Sequence, residues 1–138
     1  PSGPTMAVRC EKPERSLLLV DDEPGILEEM ANFFRKRGFI VYTENNAASA
    51  FETLKEHQPF VAVVDVNMPG FTGIDLATFA RDLEKRPRII LMSGNPDWVA
   101  EANQSNLDDI VFAVVDKPMP LVALLQFVQR AMVHDWLK

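Results

Sequence analysis

The sequence predicts an α/β protein built on a doubly wound, five-stranded parallel sheet. From residue 16 onward, short apolar runs alternate with longer amphipathic stretches, as they do when strands and helices follow one another. Three of the runs, at residues 17–20, 61–64 and 89–92, are apolar throughout, which is typical of strands that helices cover on both faces. Right-handed crossovers and short loops favour such a sheet, and 2-1-3-4-5 is one of its two common strand orders.

Five strands and five helices account for the chain from residue 16 onward. The predicted strands are residues 16–20, 39–43, 60–64, 88–92 and 110–115. Helices are predicted where apolar residues recur at intervals of three or four, and Pro24 suits the first position of the first helix. The stripes are Ile26, Met30, Phe33 and Phe34; then Ala47, Phe51 and Leu54; then Ile74, Ala77, Ala80 and Leu83; and finally Leu121, Leu124, Leu125, Val128, Met132 and Trp136. The fourth helix, residues 97–103, has the weakest stripe and is expected to be short or mobile.

Composition limits the classes of function. The 138 residues fit one domain, and 14 Lys plus Arg against 20 Asp plus Glu give a formal charge of −6, which opposes binding to a nucleic-acid backbone or an anionic membrane. Cys10 is the only cysteine, so there is no intramolecular disulfide. Without a run of roughly 20 apolar residues or a secretion signal, we expect a soluble, cytoplasmic protein. Residues 1–15 are rich in proline and poor in apolar side chains, so we interpret them as a leader, linker or tag before a domain of residues 16–138.

An acidic cluster is predicted where the sheet changes direction. Ligands of doubly wound sheets bind beyond the carboxyl ends of the strands at the switch point, here after the first and third strands. Asp21 and Asp22 follow the first strand and Asp65 follows the third. Three carboxylates in one crevice require a cation, and oxygen ligands without His or Cys favour Mg²⁺.

Four motifs at the ends of predicted strands resemble the receiver domain of bacterial two-component response regulators. They are Leu-Val-Asp-Asp-Glu-Pro at residues 19–24, Val-Asp-Val-Asn-Met-Pro-Gly at residues 64–70, Met-Ser-Gly at residues 92–94 and Asp-Lys-Pro at residues 116–118. The resemblance covers residue 16 to about residue 137 and implies the chemotaxis-regulator-like, flavodoxin-like (βα)5 fold. The strand order given above is also the one that is known for this family.

The resemblance implies a role for each residue of the acidic cluster. Asp65 is the implied phosphoacceptor, which takes a phosphoryl group from a sensor histidine kinase or a histidine phosphotransfer protein. Asp22, Asp65 and the main-chain carbonyl of Asn67 are the implied ligands of Mg²⁺, and Asp21 orients a water molecule of the ion.

Two further residues and one peptide bond complete the implied site. Ser93 offers its hydroxyl to a phosphoryl oxygen, and Lys117 pairs first with Asp65 and then with the phosphoryl group. The bond between Lys117 and Pro118 is expected to be cis. The resemblance implies no enzyme activity beyond the domain's own phosphorylation and dephosphorylation. Its output domain or protein is unknown, and a phosphorylation-dependent homodimer is one implied form of output.

The sequence departs from the family pattern at Val114. Receivers commonly have Tyr or Phe three residues before the lysine, and that ring turns inward on activation. Phe112 lies two residues earlier, so the alternation of a strand predicts that it shares a face with Val114 and is the nearest substitute. The alternative interpretation is that Phe112 is simply a core residue. We expect activation to move residues 93–103, with Trp98 as the reporter, more than a ring of the fifth strand.

Three alternatives remain open. An aspartate-nucleophile phosphohydrolase normally has a second Asp two residues after the first, where this chain has Asn67. A flavin-binding protein of similar architecture would be repelled by the acidic residues 21–23 in its phosphate loop. A degenerate receiver that serves only as a protein-interaction module would lack some of the site residues, all of which are present.

Overall fold

In the computed structural model, residues 15–68, 71–94 and 109–133 are described, with only the backbone at residues 67, 68 and 71–74. Up to residue 94, the longer strands and the helices alternate along the chain as predicted. The strands are β1 (Ser16–Val20), β2 (Ile40–Glu44), β3 (Val61–Asp65), β4 (Asn67–Met68), β5 (Phe71–Thr72), β6 (Arg88–Ser93) and β7 (Val111–Asp116). The helices are α1 (Pro24–Arg35), α2 (Ala47–His57), α3 (Gly73–Arg81) and α4 (Leu121–Met132). None of these helices is long and apolar enough to cross a membrane.

The main sheet confirms the predicted fold class. Its order is β2-β1-β3-β6-β7, and all its strand pairs are parallel. This order is 2-1-3-4-5 when its strands alone are counted. The short antiparallel pair β4–β5 was not predicted.

The core has one layer on each face of the sheet. Leu18 and Val64 belong to the layer that packs against α2 and α3, and Leu17 and Val63 belong to the layer that packs against α1 and α4. Every residue of β1 and β3 is buried, which explains why these two segments are apolar without alternation. At roughly 1.5–3 kcal/mol for each fully buried Val or Leu, the two central strands are a main source of stability.

Helix α1 ends in a Schellman motif. The N–H of Gly38 donates to the carbonyl of Arg35 at 3.0 Å, and that of Phe39 donates to the carbonyl of Phe34 at 3.2 Å. Gly38 has φ of 90°, a conformation that glycine adopts without steric cost. The rings of Phe34 and Phe39 meet edge to face with centroids 5.2 Å apart, as the apolar contact of this motif requires.

The strand limits differ slightly from the predicted ones. β2, β3 and β7 each begin and end one residue later than predicted, and β6 continues to Ser93. The prediction stopped at the last apolar residue, whereas the pairing continues into polar residues: Asp65 pairs with Met92, and Ser93 pairs with Asp116. The predicted fourth helix with Trp98, the end of the fifth helix with Trp136, and residues 1–14 lie outside the described residues.

The prediction that Phe112 shares a face with Val114 is wrong, whereas the interpretation of Phe112 as a core residue is confirmed. The register of β6 and β7 shifts between Ile89, which pairs with Val111, and Ile90, which pairs with Ala113. Phe112 is therefore the extra residue of a β-bulge, and a bulge breaks the alternation of side chains. Its ring packs with the core layer of α1 and α4, whereas Val114 packs with the layer of α2 and α3. Phe112 cannot replace an aromatic ring at position 114.

Candidate functional site

The predicted site residues meet at the carboxyl end of the main sheet. Asp21 and Asp22 follow β1, Asp65 is the last residue of β3, Ser93 is the last residue of β6, and Lys117 follows β7. Since these strands are parallel neighbours, their ends lie along one edge of the sheet.

The acidic residues form one cluster, as the sequence predicted. Asp21, Asp22 and Asp65 each offer an oxygen, and these oxygens all lie within 4.8 Å of one another. Asp21 is fully buried and Asp65 is 3% exposed, while Asp22 is open to solvent. The Asp21 Oδ1 atom accepts a hydrogen bond of 2.9 Å from the N–H of Glu23, which holds this carboxylate in place. The cluster is thus rigid on its inner side and accessible at Asp22.

Lys117 supplies the positive charge within the cluster. Its Nζ atom donates to Asp65 Oδ2 at 3.1 Å and lies 3.4 Å from Asp21 Oδ2. Burial by itself lowers the pKa of Lys117, but the hydrogen bond and charge of Asp65, reinforced by Asp21, outweigh burial and raise that pKa above 10.5. The ammonium therefore stays charged at neutral pH and offsets part of the negative charge.

The backbone places Lys117 and Ser93 side by side. The N–H of Lys117 donates to the carbonyl of Ser93 at 2.9 Å, and Ser93 is buried. The bond between Lys117 and Pro118 is cis, as predicted. Asn67 lies in β4, two residues after Asp65. Its main-chain carbonyl is therefore close in sequence to the acidic cluster.

A groove of about 380 Å³ opens beside Lys117. Its walls come from α1, from β6 and from the segment that leads into α4, and they include Ile26, Met30, Met92 and Met119. Sequence reasoning missed this groove because no spacing links residues so far apart in the chain. The groove places an apolar surface next to the charged cluster.

The model of the response regulator receiver domain matches residues 17–129 of the chain. The chain belongs to this family. As a receiver domain it is a signalling module of two-component systems, and the matched range begins within β1 and ends within α4.

Relatives of this receiver domain are regulators of several kinds. The photosynthetic apparatus regulatory protein RegA of Cereibacter sphaeroides is 33% identical over 81 residues, which are 59% of this chain and 44% of RegA. The chemotaxis protein CheY of Bacillus subtilis is 29% identical over 119 residues, which are 84% of this chain and 96% of CheY. The chain thus spans less than half of one relative and nearly the whole of the other.

A solved structure has the same fold. The CheY-like receiver domain from Methanospirillum hungatei superposes with a TM-score of 0.78 at 21% identity, over 86% of this chain and 93% of that one. The likeness concerns the fold of the receiver domain.

Proposed function

We propose that this receiver domain accepts a phosphoryl group from a phosphohistidine onto Asp65. The observation that carries the proposal is the position of the Asp65 carboxylate at the end of β3, within 4.8 Å of two more carboxylates and 3.1 Å from the ammonium of Lys117. The Asp65 carboxylate is a nucleophile that lies among carboxylates able to bind a cation and beside the ammonium of Lys117. These surroundings suit a reaction in which negative charge accumulates on phosphoryl oxygens.

The proposed transfer uses the carboxylate itself. One oxygen of Asp65 attacks the phosphorus atom, the P–N bond breaks, and its electron pair remains on the imidazole nitrogen of the donor. An acyl phosphate forms on Asp65. Lys117, freed from its bond with Asp65, then pairs with a phosphoryl oxygen, and Ser93 donates its hydroxyl to another.

The donor set fits Mg²⁺. Three carboxylate oxygens within 4.8 Å, one of them on an exposed side chain, suit a hard cation that retains part of its water. Asp22, Asp65 and the main-chain carbonyl of Asn67 would hold the ion, and Asp21, fixed by the amide of Glu23, would orient one of its waters. The ion, when bound, neutralises the clustered oxygens and orients the incoming phosphoryl group.

The proposed partners follow from this chemistry. A sensor histidine kinase or a histidine phosphotransfer protein supplies the phosphoryl group, and the groove beside Lys117 offers apolar contacts to that protein. The receiver domain catalyses only its own phosphorylation and dephosphorylation. Its output partner stays unassigned, and both the phosphorylation-dependent homodimer and the cytoplasmic location stay predictions.

Labelling with acetyl phosphate tests the proposal. In the presence of Mg²⁺ we expect the wild type to gain the mass of one phosphoryl group, because one carboxylate stands beside Lys117 at the end of β3. Asp65→Asn removes the nucleophile and should gain none, whereas Asp82→Asn, at an exposed position after α3, should gain as much as the wild type.

Intact-mass spectrometry measures the gain in each variant. Undiminished labelling of Asp65→Asn would defeat the assignment of the nucleophile. A wild type that stays unlabelled in a folded state would favour a receiver that acts only through protein interactions.

A further inference from the structure

Four cationic residues surround the end of α1, at the end of the sheet opposite the acidic cluster. They are Arg15, Arg35, Lys36 and Arg37, and we refer to them as the basic cluster. β1 begins next to Arg15 and ends next to Asp21, and its five residues span about 17 Å at 3.3 Å per residue. The site and the basic cluster therefore lie at opposite ends of the molecule.

Ion pairs within the domain do not account for these charges. None of the four cations pairs with a carboxylate of the residues that the structure describes. By contrast, Arg81 and Arg86, at the same end of the sheet, both pair with Asp109, at 3.6 Å and 3.2 Å. Within the described residues this part of the chain is therefore locally cationic, although the whole chain has a formal charge of −6.

All three guanidinium groups of the cluster are held by backbone carbonyls, and that of Arg35 donates to the carbonyl of Val41 at 3.0 Å. Arg37 stacks on the ring of Phe33 with its Cζ atom 3.6 Å from the ring centroid, and its Nη1 atom donates to the carbonyl of Phe33 at 2.9 Å. Arg15 lies over Phe39, and its Nη2 atom donates to the carbonyl of Arg37 at 2.8 Å. Gly38 lies against this arrangement, since a Cβ atom there would be in van der Waals contact with Arg15 Nη2 at 3.4 Å.

Capping of α1 explains only part of this arrangement. Basic side chains do stabilise the carboxyl ends of helices. However, each guanidinium has five N–H donors, and Arg37 gives one of them and Arg15 two to backbone carbonyls of the described residues. The remaining N–H donors of Arg15 and Arg37 lie at the protein surface, on side chains that these contacts hold. A guanidinium can bind one carboxylate through two such donors.

The net charge of the chain does not cancel the attraction of this cluster. The screening length at physiological ionic strength is about 8 Å, whereas the acidic cluster lies about 17 Å away along β1. An anionic partner at the end of α1 therefore interacts mainly with the basic cluster. The net charge of −6 therefore describes the molecule as a whole but not the end that carries the basic cluster.

We propose that the basic cluster binds an acidic segment of a partner protein. Single-stranded nucleic acid fits less well, because it needs open aromatic faces on which bases stack, and the rings of Phe33 and Phe39 lie beneath guanidinium groups. The nearby Ile40, which is 46% exposed, adds an apolar contact that suits a peptide. The proposal is independent of phosphorylation at Asp65.

A titration of the labelled full chain with an oligoglutamate peptide tests this proposal by NMR. We expect the amide signals of Gly38, Phe39 and Ile40 to shift, with weaker binding as salt is raised. Arg15→Gln combined with Arg37→Gln should lower the affinity about tenfold, since two surface ion pairs are lost. The double variant Arg81→Gln and Arg86→Gln removes the same charge from the same end of the sheet and should bind as the wild type does.

Further variants keep the test valid if the first double variant is misfolded. Lys36→Gln removes an exposed charge and should lower the affinity about twofold. Arg37→Lys keeps the charge but loses the planar guanidinium, so it should lower the affinity less than Arg37→Gln does. Equal loss in the two double variants, shifts confined to other surfaces, or the absence of binding at low salt would overturn the proposal. Tighter binding of oligothymidylate than of oligoglutamate would overturn it in favour of nucleic acid.

Discussion

Lys117 offsets part of the negative charge of the candidate site. Its ammonium bonds to Asp65 and lies close to Asp21, and both carboxylates are buried. Removing one partner of a buried ion pair leaves the other without compensation, which costs more than the loss of an exposed pair. The side chain of Lys117 is 26% exposed, so water screens part of this cost.

We predict that Lys117→Met destabilises the metal-free domain by about 2 kcal/mol at neutral pH. The pKa of Lys117 is raised in the folded state above its ordinary value of 10.5. The stabilisation by its ammonium is therefore complete below pH 10.5 and is lost as the pH rises through the higher, folded-state pKa. Hence, as the pH rises above 10.5, the free energy of unfolding should fall more steeply for the wild type than for Lys117→Met.

Chemical denaturation in the presence of a chelator, at a series of alkaline pH values, measures this difference. Lys85→Met, which removes an exposed lysine, is the control and should follow the wild type. Parallel pH profiles of the wild type and Lys117→Met would show that the contacts of Lys117 contribute no stability.

The sequence predicted correctly that three aspartates come together, whereas it placed one aromatic side chain on the wrong face of a strand. Asp21, Asp22 and Asp65 come together because each directly follows or ends a parallel strand, and the order of strands sets their spacing. Phe112 was placed on the wrong face because the β-bulge in β7 depends on pairing with β6. A single strand read alone carries no signal for an inserted residue.

The ends of α1 and α2 solve the same geometric problem with different residues. Gly38, after α1, has φ of 90°, and Gln58, after α2, has φ of 49°. Only the first has a residue that adopts such a conformation without steric cost. Substitutions at the two positions should therefore have opposite effects on stability.

We predict that Gly38→Ala destabilises the domain by about 1–2 kcal/mol. The alanine would have an unfavourable φ, and its Cβ atom would lie 3.4 Å from the guanidinium of Arg15. Gly25→Ala is the matched control: it lies in α1 with no atom within 4 Å of the added Cβ, so it should stabilise by up to about 1 kcal/mol. Urea denaturation of both variants would contradict the argument if both shifted in the same direction.

At the end of α2 we predict the opposite sign. Gln58→Gly relieves the left-handed conformation and should stabilise the domain by about 0.5 kcal/mol after the entropy cost of glycine in the unfolded chain. Gln58→Ala retains a Cβ atom and should bring no gain. Thermal melts of the two variants compare them directly, and an equal gain from alanine would show that φ is not the cause.

The limits of the elements were less predictable than their order. Apolar runs identified every strand of the main sheet, because each strand contributes residues to the core. They did not identify β4 and β5, which have two residues each and are too short to show alternation. Nor did they extend the strands to Asp65, Ser93 and Asp116, whose pairing is decided by the neighbouring strand.

In the molecule as a whole, the acidic cluster is attached to the most buried part of the sheet. Asp21 and Asp65 are attached to β1 and β3, the two most buried strands, so an ion bound there stabilises the whole folded state. The same carboxylates repel one another when no ion is present. Stability without the ion and affinity for it therefore oppose each other at this end of the sheet.

Asp22→Ala should separate these two quantities. Asp22 is exposed, so its removal leaves no cavity, and it relieves repulsion with Asp21 and Asp65. We predict that the metal-free variant is at least as stable as the wild type, while its affinity for Mg²⁺ falls by tenfold or more because a proposed direct ligand is lost. At a Mg²⁺ concentration about 100 times the dissociation constant of the wild type, the ion stabilises the wild type by about 2.7 kcal/mol and a tenfold weaker binder by about 1.4 kcal/mol.

Thermal melts with and without Mg²⁺ measure both effects. Asp82→Ala, at an exposed position away from the cluster, is the control and should retain the full Mg²⁺-induced shift. Equal shifts in the wild type and Asp22→Ala would exclude Asp22 as a ligand. Removing a residue that binds the ion weakens Mg²⁺ binding and so reduces the stabilisation that the ion gives to the folded state.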